Sequence, residues 1–131
     1  MAADDPTTAA VPLVRAAADI EAESVAAADG LEKAVLVGPD QGAPNVAIRE
    51  FTLAPGGEVP RHTNAVEHEQ YVLSGEYLVG IEDTEHTVGP GDALHIPAGT
   101  VHWYRNEGDE PGRFVCAVPT GDDEIRLVEE E

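Results

Sequence analysis

Short apolar runs separated by turns recur along the chain, and they predict strands rather than helices. Residues 46–53 come close to strict alternation of apolar and polar side chains, the period of a half-buried strand. Glycine and proline break such runs roughly every 8–12 residues, which is typical of all-β sandwiches and barrels. The predicted strands are 34–37, 46–53, 71–73, 76–81, a short strand ending at Val88, 93–96, 101–105 and 112–118, with 124–128 as a further candidate.

A turn signal lies between two of these predicted strands. Ser74 and Gly75 separate residues 71–73 from residues 76–81, and a Ser-Gly pair in this setting favours a tight β-hairpin. We therefore expect these two strands to pair with each other.

The charge of the chain excludes some partners. Twenty-six acidic against seven basic side chains give a formal net charge of -19, and Lys33 is the only lysine. Such a field repels nucleic acid and anionic lipid, so neither is expected as a partner. The acids are spread along the chain, which indicates an acidic surface like that of halophilic proteins. An ordinary acidic protein is the alternative, and the near absence of lysine disfavours it.

Cysteine usage and hydropathy limit the protein further. The single cysteine, Cys116, rules out an internal disulfide and a cysteine-based metal site, and its apolar strand predicts a buried thiol. No apolar run approaches the roughly 20 residues of a membrane-spanning helix, and the first residues are acidic. A cytoplasmic location is the resulting expectation.

Two clusters of residues carry the recognisable chemistry. In the second cluster, the fixed positions of the pattern G-x5-P-x-G-x2-H-x3-N are occupied by Gly91, Pro97, Gly99, His102 and Asn106. This pattern resembles the second signature of the cupin family at every fixed position. We expect Asn106 to be structural, since its side chain can satisfy backbone groups near the end of its strand.

The first cluster resembles the first cupin signature, G-x5-H-x-H-x3-E-x6-G, with two substitutions. The corresponding positions are Gly56, His62, Asn64, His68 and Gly75. Asn64 stands where the family has a second histidine, and His68 stands where it has a glutamate.

The resemblance implies an all-β cupin fold, a double-stranded β-helix or jelly-roll barrel. It divides the chain into a disordered N-terminus at 1–10 and a single cupin domain at 11–131. Within the domain we expect an N-terminal arm of strand and loop at 11–30, the barrel at 31–120 and an acidic C-terminal segment at 121–131. Similar small cupins are commonly dimers, so a homodimer that uses the arm as a pairing strand is expected.

The resemblance also implies a divalent transition metal, one of Mn, Fe, Ni, Cu or Zn, held by His62, Asn64, His68 and His102. Imidazole nitrogen suits these ions, whereas the oxygen of Asn64 is at most a weak ligand. Residues two apart on a strand face the same side, and a hairpin partner strand is expected to bring His68 to them. Asn64 can instead hold a metal-bound water or mark a site without metal.

Three side chains are candidates for proton transfer, Glu67, Glu69 and Tyr104. Glu67 and Glu69 flank His68 and cannot both face inward; either can supply a carboxylate, or both can belong to the acidic surface. Gln70 shares the strand parity of His68, and Tyr104 that of His102, so both are expected to line the pocket. Core filling is an equal alternative for Tyr104.

Two functions follow from these residues. The first is a metal-dependent enzyme acting on a small oxygenated molecule through dioxygenase-, isomerase- or decarboxylase-like chemistry. The second is a non-catalytic barrel that binds a small molecule or a metal, and Asn64 favours it. The motifs alone do not choose between reactions, because one fold hosts many functions.

Overall fold

The protein was analysed as a computed structural model that describes residues 11–128, so the expectation of disorder at 1–10 lies outside the described residues. Two short 3-10 helices occupy Ala17–Asp19 and Pro39–Gln41. The strands are β1 (Glu23–Ser24), β2 (Asp29–Val37), β3 (Val46–Asn64), β4 (His68–Ser74), β5 (Tyr77–Ile81), β6 (Thr84–Val88), β7 (Ala93–Ile96), β8 (His102–Arg105), β9 (Gly112–Pro119) and β10 (Ile125–Leu127). The chain is therefore all-β, as its hydrophobic pattern predicts.

The long strand β3 joins the two halves of the fold. Its first part pairs with β2 and β9, and its last part pairs with β8 and β10. Between them, Gly56 has a φ of 80°, and a Cβ on Gly57 would lie 2.9 Å from the carbonyl oxygens of Ala54 and Asp29. Glycine is therefore required where β3 bends from one half to the other. The strand predicted at 46–53 is correct but ends too early.

The sheet curls because of this shared strand. The order β6-β5-β8-β3-β9-β4-β7 places β4, β7 and β9 on one side of β3 and β5, β6 and β8 on the other. The inward side chains of the two sides form a core that includes Leu53, Val72, Val79 and Phe114. This is the predicted cupin jelly-roll architecture.

The predicted hairpin through Ser74 and Gly75 is wrong. β4 pairs with β7 and β9, whereas β5 pairs with β6 and β8, so the two strands belong to opposite sides of the sheet. Gly75 has a φ of 79°, and its missing Cβ leaves room for the carbonyl oxygen of Pro111. The Ser-Gly signal correctly marks a turn, but long-range pairing decides which strands meet.

Both ends of the described chain pack against the barrel. The arm is mostly loop, as expected, and β1 pairs with β2 of the same chain. The candidate strand at 124–128 is present as β10, which pairs with His62, Thr63 and Asn64. The homodimer stays a prediction. Within residues 11–128, no helix is long and apolar enough to cross a membrane.

Candidate functional site

An internal cavity of about 130 Å³ lies between the two sides of the curled sheet. Its lining combines apolar side chains, the polar residues of the two motifs and three charged groups. The residues are Val25, Leu31, Lys33, Arg49, Phe51, Val59, His62, Asn64, His68, Gln70, Tyr104, Phe114, Asp123 and Ile125. The cavity therefore collects the predicted ligands His62, Asn64 and His68 with both predicted pocket residues.

His62, on the lining of this cavity, forms a close pair with His102. They are directly opposite each other on β3 and β8, and their ring centroids are 4.1 Å apart. The Nδ1–H of His62 donates to the carbonyl oxygen of Pro60 at 2.7 Å, and that of His102 donates to Thr100 at 2.8 Å. Each bond fixes the tautomer and leaves the lone pair on Nε2.

Burial keeps both rings neutral. It lowers the pKa of His102 to about 4, with the nearby His62 acting in the same direction, and it lowers the pKa of His62. The Nε2 of His102 is buried and has no hydrogen-bond partner among the described residues. An imidazole nitrogen in this state is ready to bind a cation.

Asn64 brings an amide oxygen to the same wall from the end of β3. Its Oδ1 is also buried without a partner among residues 11–128. An unsatisfied buried acceptor normally costs about 1–3 kcal/mol, so two of them at one place need an explanation. Two neutral imidazoles and an amide oxygen form a donor set that fits a divalent transition metal.

His68 approaches from β4, on the other side of the barrel, rather than from a hairpin partner of β3. Its Nε2–H donates to Asp123 Oδ2 at 3.1 Å, and its Nδ1 is hydrogen-bonded with Cys116 Sγ at 3.3 Å. Burial alone would lower the pKa of His68, but its hydrogen bonds to Asp123 and Cys116 raise it to about 9. His68 is therefore an imidazolium at neutral pH.

Asp123 contacts both the ring of His68 and the guanidinium of Arg49. The guanidinium of Arg49 lies 3.3 Å from Asp123 Oδ2 and 3.8 Å from Cys116 Sγ. Burial would raise the pKa of Asp123, but His68 and Arg49 hold it below its usual range. Asp123 Oδ1 is buried without a partner among the described residues. This oxygen is a free acceptor on the lining of the cavity.

The four predicted metal ligands therefore fall into two groups. His62, Asn64 and His102 carry donor atoms without a hydrogen bond, whereas both ring nitrogens of His68 are already hydrogen-bonded and its ring centroid is 6.4 Å from that of His102. His68 can bind a metal only after it loses a proton and releases Asp123.

Glu67 and Glu69 do not reach the cavity. Both lie on the outer surface, where Glu69 hydrogen-bonds to His95. Glu67, Glu69 and His95 place three potential ligand atoms within 4.8 Å of one another, but all three side chains are well exposed. Of the candidates for proton transfer, only Tyr104 lines the cavity.

Gln70 and Tyr104 form a buried hydrogen-bonded pair. Gln70 Nε2 donates to the Tyr104 hydroxyl oxygen at 2.7 Å, which leaves the Tyr104 hydroxyl proton free for another acceptor. Burial raises the pKa of Tyr104, so it stays protonated. Its ring stacks on Phe114 with centroids 5.6 Å apart. Tyr104 thus fills core space and lines the cavity at once.

The sequence interpretation missed Asp123, Arg49 and the setting of Cys116. Asp123 looked like one more acid of the C-terminal segment, and no local pattern marks it. Arg49 did carry a signal, because it shares parity with Phe51 on a predicted strand. The thiol of Cys116 is fully buried as predicted, but it has two cationic neighbours that were not foreseen.

Comparisons with known proteins agree with this architecture. Residues 49–118 match the Cupin domain family. The chain is 30% identical over 109 residues to the tetracenomycin polyketide synthase protein TcmJ of Streptomyces glaucescens, covering 80% of this chain and 73% of that protein. It is also 33% identical over 78 residues to germin-like protein 5-1 of Oryza sativa subsp. japonica, covering 55% of this chain. This chain spans only 35% of the germin-like protein's length.

Among solved structures, the polyketide cyclase RemF of Streptomyces resistomycificus is similar. The TM-score is 0.85 at 29% identity, and the alignment covers 92% of this chain and 88% of that protein. The similarity therefore extends well beyond the two motifs.

Proposed function

The chain belongs to the cupin family, and from this premise we propose that it is a metal-dependent enzyme that closes a ring on a small polyketone. The observation that carries the proposal is the group of donor atoms around His62, which lines the cavity. His102 Nε2 and Asn64 Oδ1 are buried without partners, and His62 lies beside them with its tautomer fixed. A divalent cation bound there would satisfy all three.

The choice of substrate class comes from the relatives. RemF is described as a polyketide cyclase and TcmJ as a polyketide synthase protein, and each alignment covers more than two thirds of both chains. Ring closure is also chemistry that such a site supports. A bound divalent metal would polarise carbonyl oxygens as a Lewis acid.

The chain's own residues would handle the protons. In the ring closure, a carbon next to a carbonyl loses a proton and forms a carbon–carbon bond to a second carbonyl carbon, whose oxygen gains a proton. Water then leaves as the ring becomes aromatic. Asp123 Oδ1, a free carboxylate oxygen, is placed to accept a proton, and the Tyr104 hydroxyl is placed to donate one.

The first test is the metal content of protein purified without an affinity tag. We expect close to one equivalent of Mn, Fe, Ni, Cu or Zn, and its loss in His102→Ala. His86→Ala is the matched control, because that histidine is exposed and lies on β6, away from the cavity lining. Absence of metal, even after incubation with each ion, would contradict metal dependence.

The second test is turnover of the linear triketone heptane-2,4,6-trione. Attack of a terminal methyl carbon on the far carbonyl, followed by loss of water, gives a methylated resorcinol that chromatography separates from the starting triketone. We expect metal-dependent formation of this product and a fall on the order of 100-fold in Tyr104→Phe. Tight binding of the triketone without conversion would instead support a non-catalytic binding barrel.

A further inference from the structure

Lys33 lies on the wall of the cavity without a carboxylate partner among the residues that the structure describes. It is the chain's only lysine, and β2 places it beside Phe51 of β3. Within residues 11–128, no carboxylate oxygen lies within 4.0 Å of its ammonium, not even that of its cross-strand neighbour Glu23, whereas Arg49 on the same lining is paired with Asp123. A partly buried lysine without a recorded ion pair is unusual in a chain with 26 acids.

An aromatic wall continues from the position of Lys33 across the sheet. Phe51 and Phe114 are register neighbours whose rings stack 5.2 Å apart at 19°. Tyr104 stacks on Phe114 at 16°. All three rings contribute to the cavity lining beside Lys33, and an aromatic lining favours a conjugated ligand.

We propose that Lys33 determines substrate specificity by binding the carboxylate of a flat, conjugated acid that lies along Phe51, Phe114 and Tyr104. This inference rests on the proposed function and adds its substrate class, a polyketone or aromatic acid with a free carboxylate. A volume of about 130 Å³ is smaller than the roughly 300–1,000 Å³ of most ligand pockets, so the cavity takes one ring or the acidic end of a longer molecule.

The net charge explains why such a residue is needed. An acidic ligand is repelled by a surface with a formal charge of -19, so its entry depends on local positive charge in the cavity. Arg49 and His68 are both already engaged by the carboxylate of Asp123. The ammonium of Lys33 is left for the ligand.

The test compares two probes of the same size, 2,4-dihydroxybenzoate and the uncharged 2,4-dihydroxybenzamide, by calorimetric titration of the protein as purified. We expect the acid to bind more tightly than the amide. Lys33→Met keeps the length of the side chain and removes its charge, and it should weaken binding of the acid about tenfold or more while leaving the amide unchanged. Lys33→Arg should preserve most of the preference.

Two readouts separate this inference from the proposed function. Metal content and triketone turnover test the enzyme, whereas the ratio of acid to amide affinity tests Lys33. A ratio that is unchanged in Lys33→Met overturns the inference, whatever the metal content. A loss of the preference for the acid in Lys33→Met supports the role of Lys33. If the purified protein also lacks metal, the role of Lys33 stands and the metal-dependent enzyme is refuted. Circular dichroism and the unfolding midpoint of Lys33→Met confirm that the fold is intact.

Discussion

His62 and His102 illustrate how single backbone contacts prepare a binding site. A carbonyl two residues back in the chain holds each Nδ1–H, so both rings present Nε2 in the neutral form. The cost of leaving His102 Nε2 and Asn64 Oδ1 unpaired in the folded protein is recovered when a ligand arrives. The affinity of this site for a metal ion therefore depends on whether each donor atom is a nitrogen or an oxygen.

Replacement of Asn64 tests that dependence. Asn64→His supplies an imidazole nitrogen, a better ligand for borderline divalent ions than an amide oxygen, so we expect metal affinity to rise on the order of tenfold or more. Asn64→Ala is the control and should lower affinity. Competition with a chromophoric chelator measures both, and a lower affinity in Asn64→His than in Asn64→Ala would contradict a ligand role at this position.

His68 and the His62–His102 pair act in opposite directions on stability as pH changes. The raised pKa of His68, about 9 against an ordinary 6.5, stabilises the fold below pH 6.5, and this contribution is lost as pH rises toward 9. The lowered pKa of His102, about 4, means that the unfolded chain takes up a proton first as pH falls. Stability is thus lost below pH 6.5 as well.

Metal-free protein should accordingly be most stable near pH 6.5. We expect the free energy of unfolding to fall by on the order of 3 kcal/mol between pH 6.5 and 9, measured by urea titration. Asp123→Asn removes the carboxylate that holds the His68 proton and should flatten this alkaline limb. An unchanged limb in that variant would mean that Asp123 does not control the protonation of His68.

Among the strands, β3 and β10 show what a sequence can and cannot predict. The strand at 46–53 follows from local alternation, and it is present as the first part of β3. The inward positions of His62, Asn64 and His68 follow from motif spacing. The pairing of β10 with the end of β3 does not follow from any local pattern, because it joins residues about 60 positions apart.

The same limit explains the two main errors at the site. Ser74 and Gly75 indicate a turn, but these two residues do not determine which strands pair. In the structure β4 and β5 pair with strands on opposite sides of the barrel. Asp123 reaches His68 only because the segment before β10 folds back over the cavity. The ion pair of a distant acid with a motif histidine is a tertiary contact that strand patterns do not encode.

Gly75 should be the more sensitive of two turn glycines. Gly75→Ala meets both an unfavourable φ and the carbonyl oxygen of Pro111, 2.2 Å from the new Cβ. Gly91 has a similarly positive φ of 93° but nothing within 4 Å of a Cβ, so Gly91→Ala isolates the backbone cost of about 1 kcal/mol. We expect Gly75→Ala to lose at least about 2 kcal/mol more in chemical denaturation. Equal losses would show that the loop at Pro111 moves aside.

The formal charge of -19 acts on the whole molecule rather than on the cavity. Arg105, Arg113 and Arg126 each lie beside an acid on the surface, so most of the other carboxylates lack a cationic neighbour. Their mutual repulsion opposes compaction, and salt screens it.

Added salt should therefore stabilise the fold. Raising NaCl from about 0.1 M to 1 M shortens the screening length from about 10 Å to 3 Å, and we expect the thermal unfolding midpoint to rise by several degrees. An uncharged osmolyte at matched osmolality is the control for solvent effects. A midpoint that falls with NaCl would indicate that ion pairs outweigh repulsion in this protein.

The bend at residues 55–57 has a consequence for how the cavity can change. One continuous backbone carries Arg49 and Phe51 before the bend and His62 and Asn64 after it, so opposite walls are rigidly linked through residues that are not part of the lining. A substitution in the bend would pivot the aromatic wall against the donor atoms while every lining side chain stayed the same. Because glycine is required at 56 and 57, Pro55 is the position at which laboratory evolution can select ligand size independently of ligand chemistry.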